Sequence, residues 1–427
     1  MVATSDMELE WNEGFREAVE WVQGSRDSLF ITGRAGSGKS TLLRYLKRRI
    51  LQDPVVLAPT GVAALAVGGE TIHGFFHFPP RVLFSWDAET VGRRDVLRRL
   101  DTLVIDEVSM VRADAFAAME AVLRKRGPHP GMLFGGVRLI LFGDLHQLPP
   151  VLPEAEMEAF KLEHEGPWFF QTRAFRKLKF RRVFLDKVYR QHDPAFLDRL
   201  ERARRATPTV EDIAAWNTRM EYGPIEDSDD LSVMLTSTNS IAAQRNAEAM
   251  ESLPGPERIY EARIEPGFDV ANAPVPVSLA LRVGAQVMFQ RNHPERLWVN
   301  GTLGVVTGME EDSVWVTPTH HGDPLRVGRE TWRQIAYEED AATGRLKERE
   351  TGVFHQLPIK PAWAVTVHKS QGQEFDRTCV DLGRQAFAHG QAYVALSRCR
   401  SFEGLTLRRP LRREDFRLDP AVVEFFE

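Results

Sequence analysis

The sequence predicts an α/β protein built on parallel sheets, with a small all-β insertion in its second half. Three observations carry that expectation. Over about the first 180 residues, short apolar runs (Ser28–Ile31, Val55–Ala58, Thr102–Ile105, Val137–Phe142) alternate with helical stretches, and each run ends in a polar turn. A second alternating region begins near Phe184 and resumes near Pro361. Between about Val283 and Leu357 the character changes. There the β-rich runs Val287–Phe289, Gly304–Val306 and Val314–Val316 are punctuated by Asn300-Gly301, Gly308 and Pro318, a barrel-like pattern.

The first strand run leads into Gly33-Arg34-Ala35-Gly36-Ser37-Gly38-Lys39-Ser40-Thr41, a complete G-x-x-x-x-G-K-[S/T] phosphate loop. Leu42, Leu43, Leu46 and Ile50 follow at helical spacing, so the motif has the strand, turn and helix it requires. Glycines let backbone N–H groups curl around a polyphosphate, and the helix N-terminus adds partial positive charge. Lys39 is expected to reach the β/γ-phosphates, and the Ser40 hydroxyl to take one Mg²⁺ position. The third run ends in Asp106-Glu107. Asp106 is the expected Mg²⁺ ligand and Glu107 the group that polarises an attacking water, which points to hydrolysis of a nucleoside triphosphate. The fourth ends in Gly143-Asp144-Leu145-His146-Gln147-Leu148-Pro149-Pro150. A neutral amide such as Gln147 can both accept and donate near a γ-phosphate and so report its presence.

Composition bounds the rest. With 427 residues, 43% of them hydrophobic, the chain can bury full cores and form two or three domains. No apolar run approaches 20 residues, so no membrane span is expected. Met1–Glu13 is acidic and lacks the apolar centre of a secretory signal, so a cytoplasmic location is expected. Cys379 and Cys399 read as reduced core thiols, and His320-His321 has no cysteine neighbours to make a zinc site. A net charge of −5 does not announce a nucleic-acid binder, although basic runs occur at Arg173–Arg182 and Arg199–Arg205.

The order of motifs resembles superfamily 1 DNA helicases of the PIF/RecD branch. Beyond those above, the match runs through Ala58-Pro59-Thr60-Gly61, Thr71-Ile72-His73, Val188-Tyr189-Arg190-Gln191, Leu235–Asn239 and Val299-Asn300-Gly301. Ala364–Gly372 and Tyr393–Arg398 complete it. The helical stretch Asp193–Arg204 falls where PIF proteins carry their signature segment, which favours PIF over RecD.

The resemblance implies two recA-like P-loop domains with parallel sheets, residues 1–182 and 183–284 with 358–427. An SH3-like β-barrel (285–357) is inserted in the second, and a small pin or wedge (about 74–95) lies in the first. ATP would lie between the domains, with Lys39, Ser40, Asp106, Glu107 and Gln147 on one face and Arg190 and Arg398 as arginine fingers on the other. Gly372 and Glu374 would join the nucleotide-binding set. Single-stranded DNA would cross both domains, touching Thr60, Gly61, Thr71 and His73 on the first. On the second side it would touch Thr236, Asn239, Asn300, Thr366, His368 and Lys369. Phe76 and Phe78 are candidates for base stacking or strand separation, or else for the first core.

The implied activity is ATP- and Mg²⁺-dependent 5′→3′ DNA unwinding by a monomeric core. Its partners would be single-stranded and fork or tailed duplex DNA, with no membrane. The alternatives are a DNA-stimulated ATPase switch without strand separation, and a RecD-like subunit of a helicase–nuclease complex. One departure stands out. The family's adenine-reading motif is N-x-x-Q, whereas Asn12 is followed at that spacing by Phe15, so looser nucleotide selectivity is expected.

Overall fold

The computed structural model describes residues 11–89, 94–189, 191, 193–220, 231–295, 297–319, 322–339 and 346–427. Arg190, the His320-His321 pair and the acidic loop Glu221–Asp230 lie outside them.

The first domain is a six-stranded parallel sheet of β1 (Ser28–Gly33), β2 (Val55–Ala58), β3 (Glu70–Thr71), β4 (Thr102–Ile105), β5 (Arg138–Phe142) and β6 (Phe180–Leu185), in the order β3-β2-β4-β5-β1-β6. Its central strands are buried on both faces, which is why they read as unbroken apolar runs. Alternate residues feed two cores. Phe30, Leu57, Ile105 and Leu141 join one, while Leu29, Ile31, Val56, Val104 and Ile140 join the other.

The edge strand β6 corrects the expected boundary at 182/183. Phe180–Leu185 pairs with β1 from Ser28↔Phe180 to Gly33↔Leu185, so Val183, Phe184 and Leu185 belong to the first sheet. The basic run is partly an edge strand: Arg181 pairs with Glu17, and Arg182 lies over the Phe425 ring.

The second sheet opens with β7 (Val233–Thr236). The chain then makes β8 (Arg258–Glu261), β9 (Arg263–Ile264), β10 (Ser278–Leu281), β11 (Gln286–Phe289), β12 (Leu303–Met309), β13 (Ser313–Pro318), β14 (Leu325–Gly328), β15 (Glu330–Glu339), β16 (Leu346–Gln356) and β17 (Ile359–Pro361). It returns with β18 (Ala364–Thr366), β19 (Thr378–Asp381) and β20 (Leu405–Leu407), giving a parallel sheet ordered β18-β7-β19-β20. The intervening antiparallel sheet, β14-β13-β12-β11-β17, closes around Val287, Phe289, Val306, Val314, Val316 and Ile359. Tyr260, Leu279 and Leu281 of β8 and β10 share that core, so the β-rich unit begins before the expected residue 285.

Segments of the later chain also pack on the first domain. In the β15–β16 arm, Tyr337 enters the first core, where its hydroxyl oxygen accepts the Val56 N–H at 3.1 Å. The helix Pro420–Phe426 also packs on the first domain: Val422 is fully buried there, and the Trp168 indole N–H donates to Asp419 at 2.7 Å.

Candidate functional site

The phosphate loop lies between β1 and the helix Lys39–Tyr45. Gly38 has φ +86, and a Cβ there would sit 2.9 Å from the Phe15 ring, so only glycine fits. The Lys39 ammonium donates to the carbonyls of Gly33 (2.8 Å) and Arg34 (3.0 Å), which holds it over the loop. The Ser37 hydroxyl is buried with no partner, an orphaned polar atom inside the cradle. Gly36 accepts the Tyr189 N–H at 3.0 Å, and Ala35 donates its N–H to the Tyr393 hydroxyl at 3.1 Å. Tyr393 comes from the second domain, so the loop is already bridged to it.

At the end of β4, Asp106 is buried. Burial, then the charge of Glu107, pushes its carboxyl up to about 7, with Lys39 and Arg44 opposing. Glu107 is also raised by burial, offset by Lys39 and Arg398. Its backbone is left-handed (φ 48°, ψ 44°), a conformation that costs a non-glycine residue about 1–3 kcal/mol and gathers at functional sites. Two adjacent buried acids, raised by burial despite these cations, fit a hard divalent cation shared with phosphate oxygens. Ser40, exposed in the first turn of the helix, supplies a hydroxyl of the right kind. Among the described residues there is no group of three His, Cys, Asp or Glu that could hold a metal ion.

Each residue from Asp144 to Gln147 touches the other half of the molecule. Asp144 is fully buried and accepts from the Arg204 guanidinium at 3.0 Å. Burial raises that carboxyl, but Arg204 and His146 more than offset it and hold it well below the usual range. Leu145 accepts from His389 Nε2 at 2.7 Å, and His389 Nδ1 accepts the Asp419 N–H, which fixes the neutral tautomer. The His146 ring stacks on Phe426 at 5.0 Å. Gln147 donates to Asp144 (3.3 Å) and accepts from Gln371 (3.1 Å). Gly390 backs this loop so closely that a Cβ would lie 2.4 Å from the His146 carbonyl.

From the second domain, Arg398 is almost fully buried, bonded to Val394 O (2.9 Å) and Ser397 Oγ (2.9 Å), with its charge reaching Glu107. The expected partner finger, Arg190, lies outside the described residues. Its neighbour Gln191 donates to the carbonyls of Ser397 and Cys399.

With this geometry in place, similarity to known proteins can be stated. A family model described as PIF1-like helicase matches residues 8–230. The chain is 32% identical over 420 residues to the ATP-dependent DNA helicase Pif1 of Bdellovibrio bacteriovorus, covering 94% of this chain and 89% of that one. The chain belongs to the PIF1-like helicase family. It is 36% identical over 416 residues to the ATP-dependent DNA helicase PIF1 of Danio rerio, covering 94% of this chain and 60% of that protein. It therefore spans well under two thirds of that relative's length. The fold matches the crystal structure of Bacteroides Pif1 in complex with ADP-AlF4 with a TM-score of 0.89 and 31% identity, covering 98% and 97% of the two chains.

The DNA set expected for a PIF1-like protein divides into groups. Thr60, Gly61, Thr71 and His73 line one groove of about 750 Å³, together with Phe268, Asp269, Asn272 and Gln334. Thr60 and Thr71 are helix N-caps whose hydroxyls accept the N–H groups of Ala63 and Gly74. In the second domain Thr236 and Thr366 are register partners at the carboxyl ends of β7 and β18. Both are buried: Thr236 donates to Thr238 O and Thr366 accepts the Lys369 N–H. They support the turns that carry Asn239 and Lys369, both exposed, with His368 partly so. Asn300 is exposed on the inserted unit. Of the residues expected to join the nucleotide-binding set, Gly372 takes φ +80 and Glu374 pairs with Arg400 at 3.2 Å.

Phe76 corrects the sequence reading, and Phe78 does so in part. They are 0% and 6% exposed and stack on each other in the first core at 5.2 Å, while Phe78 also lines the groove of Thr60 and His73. The exposed ring of the expected pin region is Trp86, 58% exposed and stacked on Phe84 at 4.4 Å. Its signal was a lone tryptophan between Ser85 and Asp87. In the run Arg199–Arg205, Arg202 and Arg205 make partly exposed pairs with Asp212 and Glu201, whereas Arg204 is buried against Asp144.

Proposed function

We propose that this chain hydrolyses ATP with Mg²⁺ to step 5′ to 3′ along single-stranded DNA and separate duplex or forked DNA ahead of it, as a monomer in the cytoplasm. The carrying observation is that the phosphate loop, paired acids and Gln147 loop of the first domain face Tyr393, Gln371 and Arg398 of the second across one interface. Lys39 and the loop amides hold the phosphates, and Ser40 and Asp106 would hold Mg²⁺, which when bound would supply charge neutralisation to the polyphosphate. Glu107 orients and deprotonates the attacking water, and Arg398 stabilises the charge that develops on the γ-phosphoryl. Loss of that phosphoryl is read by Gln147, whose loop is tied to the second domain through Asp144, Leu145 and Gln147 itself, so the domains reopen and shift along the strand.

DNA binding is supported by the Thr60–His73 groove and by the exposed Asn239 and Lys369. It is also supported by likeness to Bacteroides Pif1, which is known in a crystal structure bound to ssDNA. The test is ATP hydrolysis with and without oligo(dT): strong stimulation is expected, and its absence would contradict the reading.

Two further outcomes follow. Phe15 is buried beneath Gly38, and Asn12 is spent on capping its helix and on Tyr189. No glutamine amide therefore reads adenine at that position. One neutral hydrogen bond is worth about 1 kcal/mol, so GTP and CTP should turn over within about tenfold of ATP in a competition assay. Strict ATP preference would show that another group reads the base. Trp86→Ala removes an exposed stacking surface of a kind worth about 1–3 kcal/mol per base. Duplex unwinding should fall at least about fivefold while oligo(dT)-stimulated hydrolysis persists; equal loss of both would place Trp86 elsewhere in the cycle.

A further inference from the structure

Among the described residues, two neighbouring ammonium groups on the second domain have no acid to pair with. Lys360 lies on β17 opposite Met288 of β11. Directly opposed residues of an antiparallel pair share a face. Met288 belongs to the second-domain core with Val365, Val367 and Phe375, whereas Ile359, on the other face of β17, is in the core of the inserted unit. The Lys360 stem therefore lies on the apolar side of the second domain, and the residue is partly exposed. Strand β18 then leads to a turn in which Lys369 donates its N–H to Thr366 Oγ (3.3 Å) and Ser370 donates to Thr366 O (3.0 Å), leaving Lys369 exposed. Among the described residues, neither lysine side chain makes a hydrogen bond or an ion pair. Other cations near the same turn are compensated, as Arg400 is by Glu374 and Asp376.

We propose that Lys360 and Lys369 form a two-cation clamp for one phosphodiester of single-stranded DNA on the second-domain side of the channel. The inference rests on the DNA-translocating reading above and adds Lys360, which the family motif does not mark. A solvated lysine face would leave both charges independent. Here burial, and then the charge of Lys369, push the Lys360 ammonium down to about 8. An anion between the two heads relieves both effects, and the buried stem holds Lys360 ready, so little side-chain freedom is lost on binding.

The test is oligo(dT) affinity without nucleotide, by fluorescence anisotropy from 50 to 300 mM NaCl. Each phosphate contact to a single strand contributes about 0.7 to the slope of log K against log salt. Lys360→Ala should bind about fivefold more weakly at the lowest salt and lose about 0.7 from the slope. Lys360→Arg should keep both. A wild-type slope and affinity in Lys360→Ala would overturn the clamp. So would equal losses in the alanine and arginine variants, which would mark Lys360 as structural. Failure of the wild-type protein to bind oligo(dT) would overturn the DNA reading itself.

Discussion

Glu107→Gln should bind ATP as the parent does and hydrolyse it about 10³-fold more slowly. The substitution keeps shape and volume at the end of β4 and removes only the carboxylate proposed above to accept a proton from water. The site is built to hold that group still. Glu107 sits in a left-handed backbone conformation, pinned by the Asp106 N–H on Leu57 O (2.9 Å) and the Met110 N–H on Glu107 O (2.9 Å). Strain persists only where such bonds over-determine it. Lys39 and Arg398 both act on its charge, so the carboxylate lies where cations from the two domains converge. Stopped turnover with intact binding of a fluorescent ATP analogue is the expected pair of readings. Parental turnover would remove Glu107 from the role of base.

Arg204→Ala should destabilise the protein by about 3–5 kcal/mol, the range for removing one partner of a buried ion pair. Asp144 is 0% exposed and Arg204 is 8% exposed. Burial works against the charge on each, yet their mutual attraction dominates: Arg204 is raised and Asp144 is lowered. Without Arg204, an acid remains sealed beside Gln147 with its largest counter-charge gone. Urea unfolding should show the loss, and Asp144→Asn in the same chain should recover much of it, since the stranded charge is then gone. A change below about 1 kcal/mol would place the pair in water, as for ordinary surface bridges. Because Asp144 also accepts from Gln147, ATP turnover should fall as well.

These two residues also show what the sequence could and could not disclose. Glu107 was legible because its chemistry is local: a doubly buried strand, two acids and a phosphate loop upstream follow from adjacent residues. Arg204 was not. Within Arg199–Arg205 it looks like one more solvated cation, and only a partner 60 residues away makes it a core residue. Strand β6 escaped for a similar reason, since an edge strand with Arg181 and Arg182 lacks the apolar continuity of the central strands. The helix Pro420–Phe426 was assigned to the second domain by chain order. Its partners, Trp168, Phe30 and His146, lie more than 250 residues earlier, and no periodicity reveals a contact of that span. Phe76 and Phe78 show the opposite limit: an aromatic run beside two prolines reads equally as a stacking surface and as core, and burial alone decides.

The most direct test of the central claim is ATP-driven strand displacement on matched duplexes that carry either a 5′ or a 3′ single-stranded tail. Displacement of the 5′-tailed duplex alone is the predicted result. Preference for the 3′ tail would contradict the direction, and DNA-stimulated hydrolysis with neither duplex opened would leave an ATPase switch in place of a helicase.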